Sequence, residues 1–263
     1  MPKVIISGRG GSGKSTLVTL LAGTLAGDRD VLVIDADESN LGLPAMLGME
    51  PPEKGIMESL GGKPAVGQKL MKSIQSQGEE KVSLFEEEMP VGGLPADVAS
   101  VSGRIRLARI GKIDHPMEGC ACPMGATARA FLNALTAGEA EWVIVDTEAG
   151  IEHMGRGVLE GADMVLMLVD PSHEAVLLAD KAGDLAKEAG KEFGVVISKA
   201  DDELRQVLEA RLLERSLEVL GAVPTSEEIA GANLNGEPLD GRSLEADLRS
   251  VVAAIEEKVS ALR

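Results

Sequence analysis

The chain has 263 residues, a formal net charge of −17, 44% hydrophobic residues, three Phe, one Trp and no Tyr. That length suits one large α/β domain and provides ample apolar side chains for a core, here an aliphatic and methionine-filled one. The charge repels nucleic-acid backbones and anionic lipid surfaces, and the scarcity of aromatic residues leaves little on which bases could stack, so nucleic-acid partners are excluded on both counts.

The N-terminal MPKVIISG reads as the entry to a strand rather than a basic leader with a cleavage site, and no apolar run approaches the roughly 20 residues of a membrane span. A cytoplasmic protein is expected. KVIIS (3–7), VLVID (31–35), WVIVD (142–146), MVLMLVD (164–170) and FGVVIS (193–198) are short, nearly continuous apolar runs, as in parallel strands buried on both faces. Helical patterns at 15–27, 172–190, 202–220 and 243–263 separate or follow them. In the last, Leu248, Val251, Val252, Ile255, Val259 and Leu262 form the packed stripe. The alternation predicts an α/β fold with a mostly parallel central sheet and helices on both faces, within a single domain 1–263. Residues 51–103 read as a variable inserted region with helices near 64–76. Around it only RIRLARI (104–110) is strongly strand-like.

GRGGSGKS (8–15) follows the first strand and opens the first helix, the context in which G-x-x-x-x-G-K-[ST] binds a nucleotide. Gly8, Gly10, Gly11 and Gly13, with Ser12 between them, let backbone N–H groups close on phosphate oxygens at a helix N-terminus. Lys14 adds charge at the β- and γ-phosphates, and Ser15, followed by Thr16, offers a hydroxyl to Mg²⁺. Asp35, Asp37 and Asp146 stand at strand ends, where open α/β sheets place their ligands. Asp146, in DTEAG, is the expected Mg²⁺ partner through water, Gly150 is the pivot of a γ-phosphate-sensing loop, and Asp37 orients the attacking water. Arg9 has three available targets: its own phosphates, solvent, or a partner's nucleotide across a dimer.

GRGGSGKST, VLVIDADESNLGL and VDTEAG together resemble the MinD/ParA/nitrogenase-iron-protein class of deviant P-loop ATPases. The resemblance implies Lys14 and Ser15 at phosphate and metal, Asp37 at the water and Asp146 in switch II. It also implies a basic residue reaching across a nucleotide-sandwich homodimer, at the position where this chain replaces the class's lysine by Arg9. The class's base-contacting N-K dipeptide reads Ser198-Lys199 here, so ATP is implied by the resemblance while the residues alone also admit GTP. ARIGKIDHPMEGCACPMGATARAFLNAL (108–135) and DMVLMLVDPSHEAVLLADKAGDLAKEAG (163–190) look like the CooC-type accessory ATPases that insert nickel into carbon monoxide dehydrogenase. That similarity implies a nickel-containing carbon monoxide dehydrogenase or acetyl-CoA synthase as client.

Cys120 and Cys122 are the only cysteines, one residue apart and just before Pro123, which suits the first position of a helix running to about Leu135. Thiols at a helix N-terminus ionise readily, but two thiolates are half of the tetrahedral set that Zn²⁺ or a similar soft-liganded ion prefers. A two-fold axis between identical chains supplies the other half, so a shared Ni or Zn site is expected. Two small residues buried in a turn and a redox dithiol are the competing readings. His115, His153 and His173 are expected to be solvated rather than ligands, and Met124, Phe131, Leu132 and Leu135 to be core. Against the metal-handling homodimeric ATPase stand a MinD/ParA-type positioning or partitioning ATPase, which shares every nucleotide motif, and an iron–sulfur reductase, which needs more widely separated cysteines.

Overall fold

The computed structural model describes residues 2–75, 83–85, 87–112, 122–136, 138, 140–155 and 157–261. In chain order the elements are β1 (Lys3–Gly8), α1 (Lys14–Leu25), β2 (Asp30–Ala36), α2 (Leu43–Met46), α3 (Ile56–Ser59), α4 (Gly62–Gln75), β3 (Met89–Pro90), β4 (Ala99–Ser102), β5 (Ile105–Arg109) and α5 (Cys122–Ala134). They continue with β6 (Leu135–Thr136), β7 (Glu141–Thr147), α6 (Glu152–Gly155), β8 (Met164–Val169), α7 (His173–Glu188), β9 (Glu192–Ser198), α8 (Asp202–Leu213), β10 (Val219–Val223), α9 (Glu227–Asn235) and α10 (Glu245–Ser260).

The main sheet has the order β10-β9-β8-β1-β7-β2-β5-β4, and every neighbour is parallel except the edge pair β4–β5. β1 lies between β7 and β8, and the chain leaves it toward β2 on one side and returns to β8 on the other. That reversal of strand order opens a crevice at the carboxyl end of β1, where residues 8–15 begin. Alternate side chains of the buried strands feed two cores. Val4, Ile6, Val31 and Val33 face α1 and α10, with Leu17, Leu21, Leu248 and Ile255. Ile5, Leu32, Ile34 and Val145 face α5, α7 and α8, with Phe131, Val176 and Leu212.

The predicted mostly parallel sheet with helices on both faces is found. The helix expected over 202–220 instead ends at Leu213, and residues 219–223 form β10 beside β9. Ser216 sits at φ 57°, and the amides of Ser216 and Leu217 bond back to the Leu213 and Leu212 carbonyls, so the turn closes the helix before the strand begins. Apolar spacing alone did not separate the two, because Leu213, Leu217 and Leu220 stand at i, i+4 and i+7 and so continue the helical pattern into the strand. Gly221 is required in β10: a Cβ there would lie 2.6 Å from the Val251 side chain of α10. Ala99–Ser102 is a further strand that its polar composition concealed, and α4 covers the helix expected near 64–76. In α10 Leu248, Val251, Ile255 and Val259 are buried and Val252 partly so, while Leu262 lies outside the described residues.

Candidate functional site

The loop after β1 turns through left-handed backbone at Gly11 (φ 77°) and Gly13 (φ 102°), conformations that a side chain would strain. Gly8 is needed for space, since a Cβ would lie 2.7 Å from the Leu168 carbonyl oxygen. Its own carbonyl accepts the Gly150 amide at 3.0 Å, which ties the loop to the segment after β7. α1 starts at Lys14 with no side chain capping its N-terminus, leaving those amides to a ligand. The Lys14 ammonium is buried and donates to the Gly8 and Arg9 carbonyls at 3.3 and 3.4 Å. Burial holds its pKa below the usual lysine value, opposed by Asp146 and Asp37. The cavity in front, about 600 Å³, is lined by Gly10–Leu17, Asp37, Ser39, Ala149, Ser198, Lys199, the 223–226 segment and Asn233 among others. That volume and the loop's donors fit a nucleoside triphosphate.

The Ser198 hydroxyl donates to the Ser12 carbonyl at 3.0 Å, and Lys199, held at φ 56°, donates to the Gly11 carbonyl at 2.6 Å. Both therefore brace the phosphate loop from beneath. The wall formed by 223–226 and Asn233 was not assigned a role from sequence, although the run VPTSEEIAGANLNGEPL carries it.

At the mouth of the loop Ser15 Oγ donates to Asp146 Oδ2 at 2.6 Å, and Asn40 Nδ2 donates to both, at 2.9 and 3.0 Å. Asp146 is fully buried and its Oδ1 has no partner. A buried carboxylate oxygen left open beside a P-loop serine is the chemistry a hydrated Mg²⁺ completes, so the residues fit that ion. Burial pushes the Asp146 carboxyl up to about 6, with the Ser15 and Asn40 hydrogen bonds opposing. A raised folded-state value means the folded protein holds a proton that the unfolded chain has released between pH 3.8 and about 6. The stabilisation is complete below that window and is lost as pH rises through it. Relative to wild type, ligand-free Asp146→Asn should therefore be stabilised by an amount rising from near zero at pH 4 to about 3 kcal/mol at pH 7. Urea unfolding of both proteins at the two pH values measures it.

Asp35 and Asp37 diverge. The Asp37 carboxylate lines the nucleotide cavity and accepts the Ser39 amide and hydroxyl at 2.9 and 2.7 Å. Asp35, 2% exposed, pairs with the Lys112 ammonium at 2.7 Å and borders a second cavity of about 660 Å³ behind residues 35–41. Burial raises its pKa and Lys112 opposes the rise. Neither Lys112 nor Asn40 was singled out from sequence. The lysine in ARIGKID follows a strand like many solvated lysines, and only the partner 77 positions earlier gives it meaning.

Arg9 donates to Asp170 at 2.7 Å and approaches Glu174 at 3.8 Å, with its side chain 37% exposed. Asp170 closes β8 and also accepts the Ser172 hydroxyl. Burial raises its pKa, but the Arg9 and Ser172 hydrogen bonds outweigh that and hold it low. Gly150 (φ 88°) bridges back to Gly8, its carbonyl accepting the Ser7 hydroxyl at 3.1 Å. Thr16 lines the cavity. His153, expected in solvent, is buried in α6, because Ile151 and Met154 around it turn toward the core. His173 is exposed at the start of α7.

α5 starts at Cys122, which is exposed, with Pro123 in its first turn and Met124, Phe131 and Leu132 buried below it. Leu135, just beyond the helix, is buried as well. Cys120 and His115 lie outside the described residues. Among the described residues no group of three His, Cys, Asp or Glu side chains is placed to hold a metal, and no helix is long and apolar enough to cross a membrane.

Comparison with known proteins agrees with this geometry. An uncharacterised ATP-binding protein of Methanocaldococcus jannaschii is 41% identical over 239 residues, covering 90% of this chain and 94% of its own. The carbon monoxide dehydrogenase accessory protein CooC of Rhodospirillum rubrum is 27% identical, covering 89% of this chain and 88% of its own. Among solved structures, the septum site-determining protein MinD of Pyrococcus horikoshii, complexed with Mg-ADP, superposes with a TM-score of 0.67 at 17% identity, over 98% of this chain and 96% of that one. The model of the CobQ/CobB/MinD/ParA nucleotide-binding domain matches residues 3–239. The chain belongs to the CobQ/CobB/MinD/ParA family of nucleotide-binding domains.

Proposed function

We propose that this protein is a Mg²⁺-dependent ATPase that works as a homodimer, holds a nickel or zinc ion between its subunits through Cys120 and Cys122, and assists nickel insertion into a carbon monoxide dehydrogenase or acetyl-CoA synthase. The single observation that carries the ATPase reading is the Ser15–Asp146–Asn40 cluster at the lip of the phosphate loop. The triphosphate lies on the amides of residues 10–15, with Lys14 against its β- and γ-oxygens. Ser15 would hold Mg²⁺ directly and Asp146 through water, and the ion would supply positive charge to offset charge developing on the phosphate. Asp37, already in the cavity wall, orients the attacking water. Gly150, bonded to Gly8, follows the γ-phosphate and passes its presence or loss to the segment after β7. Arg9 leaves Asp170 to serve the partner's phosphates.

The metal reading rests on the C-x-C motif, whose second cysteine, Cys122, opens α5, and on the likeness to the Rhodospirillum protein. Elemental analysis after anaerobic gel filtration tests it. Wild-type protein retains nickel or zinc, and Cys120→Ser and Cys122→Ser each lose it. Retention by both variants contradicts the reading. The positioning-ATPase alternative draws on the MinD-like fold, and it predicts the same nucleotide chemistry with no dependence on either cysteine.

A further inference from the structure

We propose that Lys112 is the positioning residue of the 35–41 segment, a clamp that fixes Asp37 and Asn40 for catalysis. The inference rests on the ATPase reading above and adds to it a residue with no motif. The lysine stands three residues beyond the β5 end, in a chain that lies beside β2: Asp35 pairs with Arg109 in register, and the Ile110 amide donates to the Asp35 carbonyl at 2.8 Å. From there its buried ammonium donates to the Asp35 carboxylate at 2.7 Å, to the Asp37 carbonyl at 2.6 Å and to the Asn40 carbonyl. An ammonium has three N–H donors, and all three are engaged. Two of them hold the backbone of the residues whose side chains meet the ligand: Asp37 in the nucleotide cavity, and Asn40 on Ser15 and Asp146. The Asn40 carboxamide oxygen accepts the Gly42 amide at 2.9 Å, so its amide group can aim only toward the metal-site pair. Without the ammonium, two carbonyls and a buried carboxylate lose their donor and the segment is free to shift. A misplacement of about 1 Å at such a point costs about 100-fold in rate. The Lys112 ammonium bonds to Asp35, Asp37 and Asn40 rather than to the phosphate loop or the wall at 223–226, and the residue does not line the nucleotide cavity, so nucleotide affinity should be preserved.

The second cavity reaches Lys112 and Asp35 from outside, which gives a small cation a path to the vacated position. The experiment is Lys112→Ala assayed with and without propylammonium. We expect kcat to fall about 10- to 100-fold while the dissociation constant of a non-hydrolysable ATP analogue stays within about twofold. Propylammonium should restore kcat several-fold, and tetramethylammonium at equal ionic strength should not. Unchanged kcat, or a loss of affinity as large as the loss of rate, overturns the proposal, as does failure of propylammonium to rescue. Should Lys112→Ala not fold, because Asp35 is left buried without its partner, Asp35→Asn/Lys112→Met removes both charges and must show the same loss of kcat. Wild-type kcat in that double variant overturns the proposal equally. If the wild-type protein itself hydrolyses no ATP, the ATPase reading fails. The clamp is then judged by hydrogen exchange of amides 37–42, which the variant must accelerate without changing amides 8–15, and equal protection contradicts it.

Discussion

Lys14→Ala should reduce ATP turnover by about 100- to 1,000-fold, the largest loss expected of any single substitution here. The ammonium donates to the Gly8 and Arg9 carbonyls at 3.3 and 3.4 Å, long contacts that a phosphate oxygen readily replaces. Because the group is buried, its attraction for transferring phosphate is little screened by water. Alanine removes the charge both from bound nucleotide and from the transition state, so affinity and kcat fall together. Asp37→Ala should behave differently. Its carboxylate lies in the cavity wall with its hydrogen bonds to Ser39 rather than to the phosphate loop, and removal should leave ATP binding nearly intact while slowing hydrolysis. Nucleotide affinity and single-turnover rate, measured on both variants, separate the two effects. Full turnover in Asp37→Ala would remove that residue from the mechanism.

Mixing two inactive variants should restore activity if Arg9 acts across the dimer. Arg9→Ala deprives each partner of its charge, and Lys14→Ala destroys each chain's own loop, so neither homodimer hydrolyses well. In a heterodimer the chain lacking Arg9 keeps Lys14 and receives Arg9 from its partner, making one complete site. Random reassortment of equal amounts gives activity of about a quarter of wild type. The ion pair to Asp170 and the approach to Glu174 hold Arg9 within its own chain. A pair exposed on the arginine side is weak enough to exchange for a partner's phosphate. A mixture that stays inactive despite demonstrated subunit exchange places Arg9 in cis.

The phosphate loop, six of the parallel strands and the strand-end aspartates could be read from the sequence because each is local. Glycine spacing, apolar runs and an acid at a strand terminus need no knowledge of the rest of the chain. What escaped was of two kinds. β10 was partly absorbed into a helix because leucines at 213, 217 and 220 keep the helical spacing, and the break lies in the left-handed turn at Ser216, a residue type that rarely adopts it. Lys112 and Asn40 escaped because their roles exist only between elements: an ammonium after β5 meeting a carboxylate that ends β2, and a carboxamide meeting Ser15 and Asp146. Asp35 looked equivalent to Asp37 in IDAD, and unbroken alternation would set both on one face, but β2 ends at Ala36, so Asp35 keeps the strand's direction and pairs with Lys112 while Asp37 stands in the turn at the nucleotide cavity.

The most direct test of the account is molar mass by light scattering coupled to metal analysis of the same chromatographic peak, on the slow-hydrolysing Asp37→Ala protein loaded with nickel, with and without MgATP. The account predicts that ATP moves the protein from monomer to dimer and that the dimer peak carries one nickel for every two chains. A monomer that binds nickel with full affinity, or a protein that stays monomeric with ATP and nickel together, would contradict it.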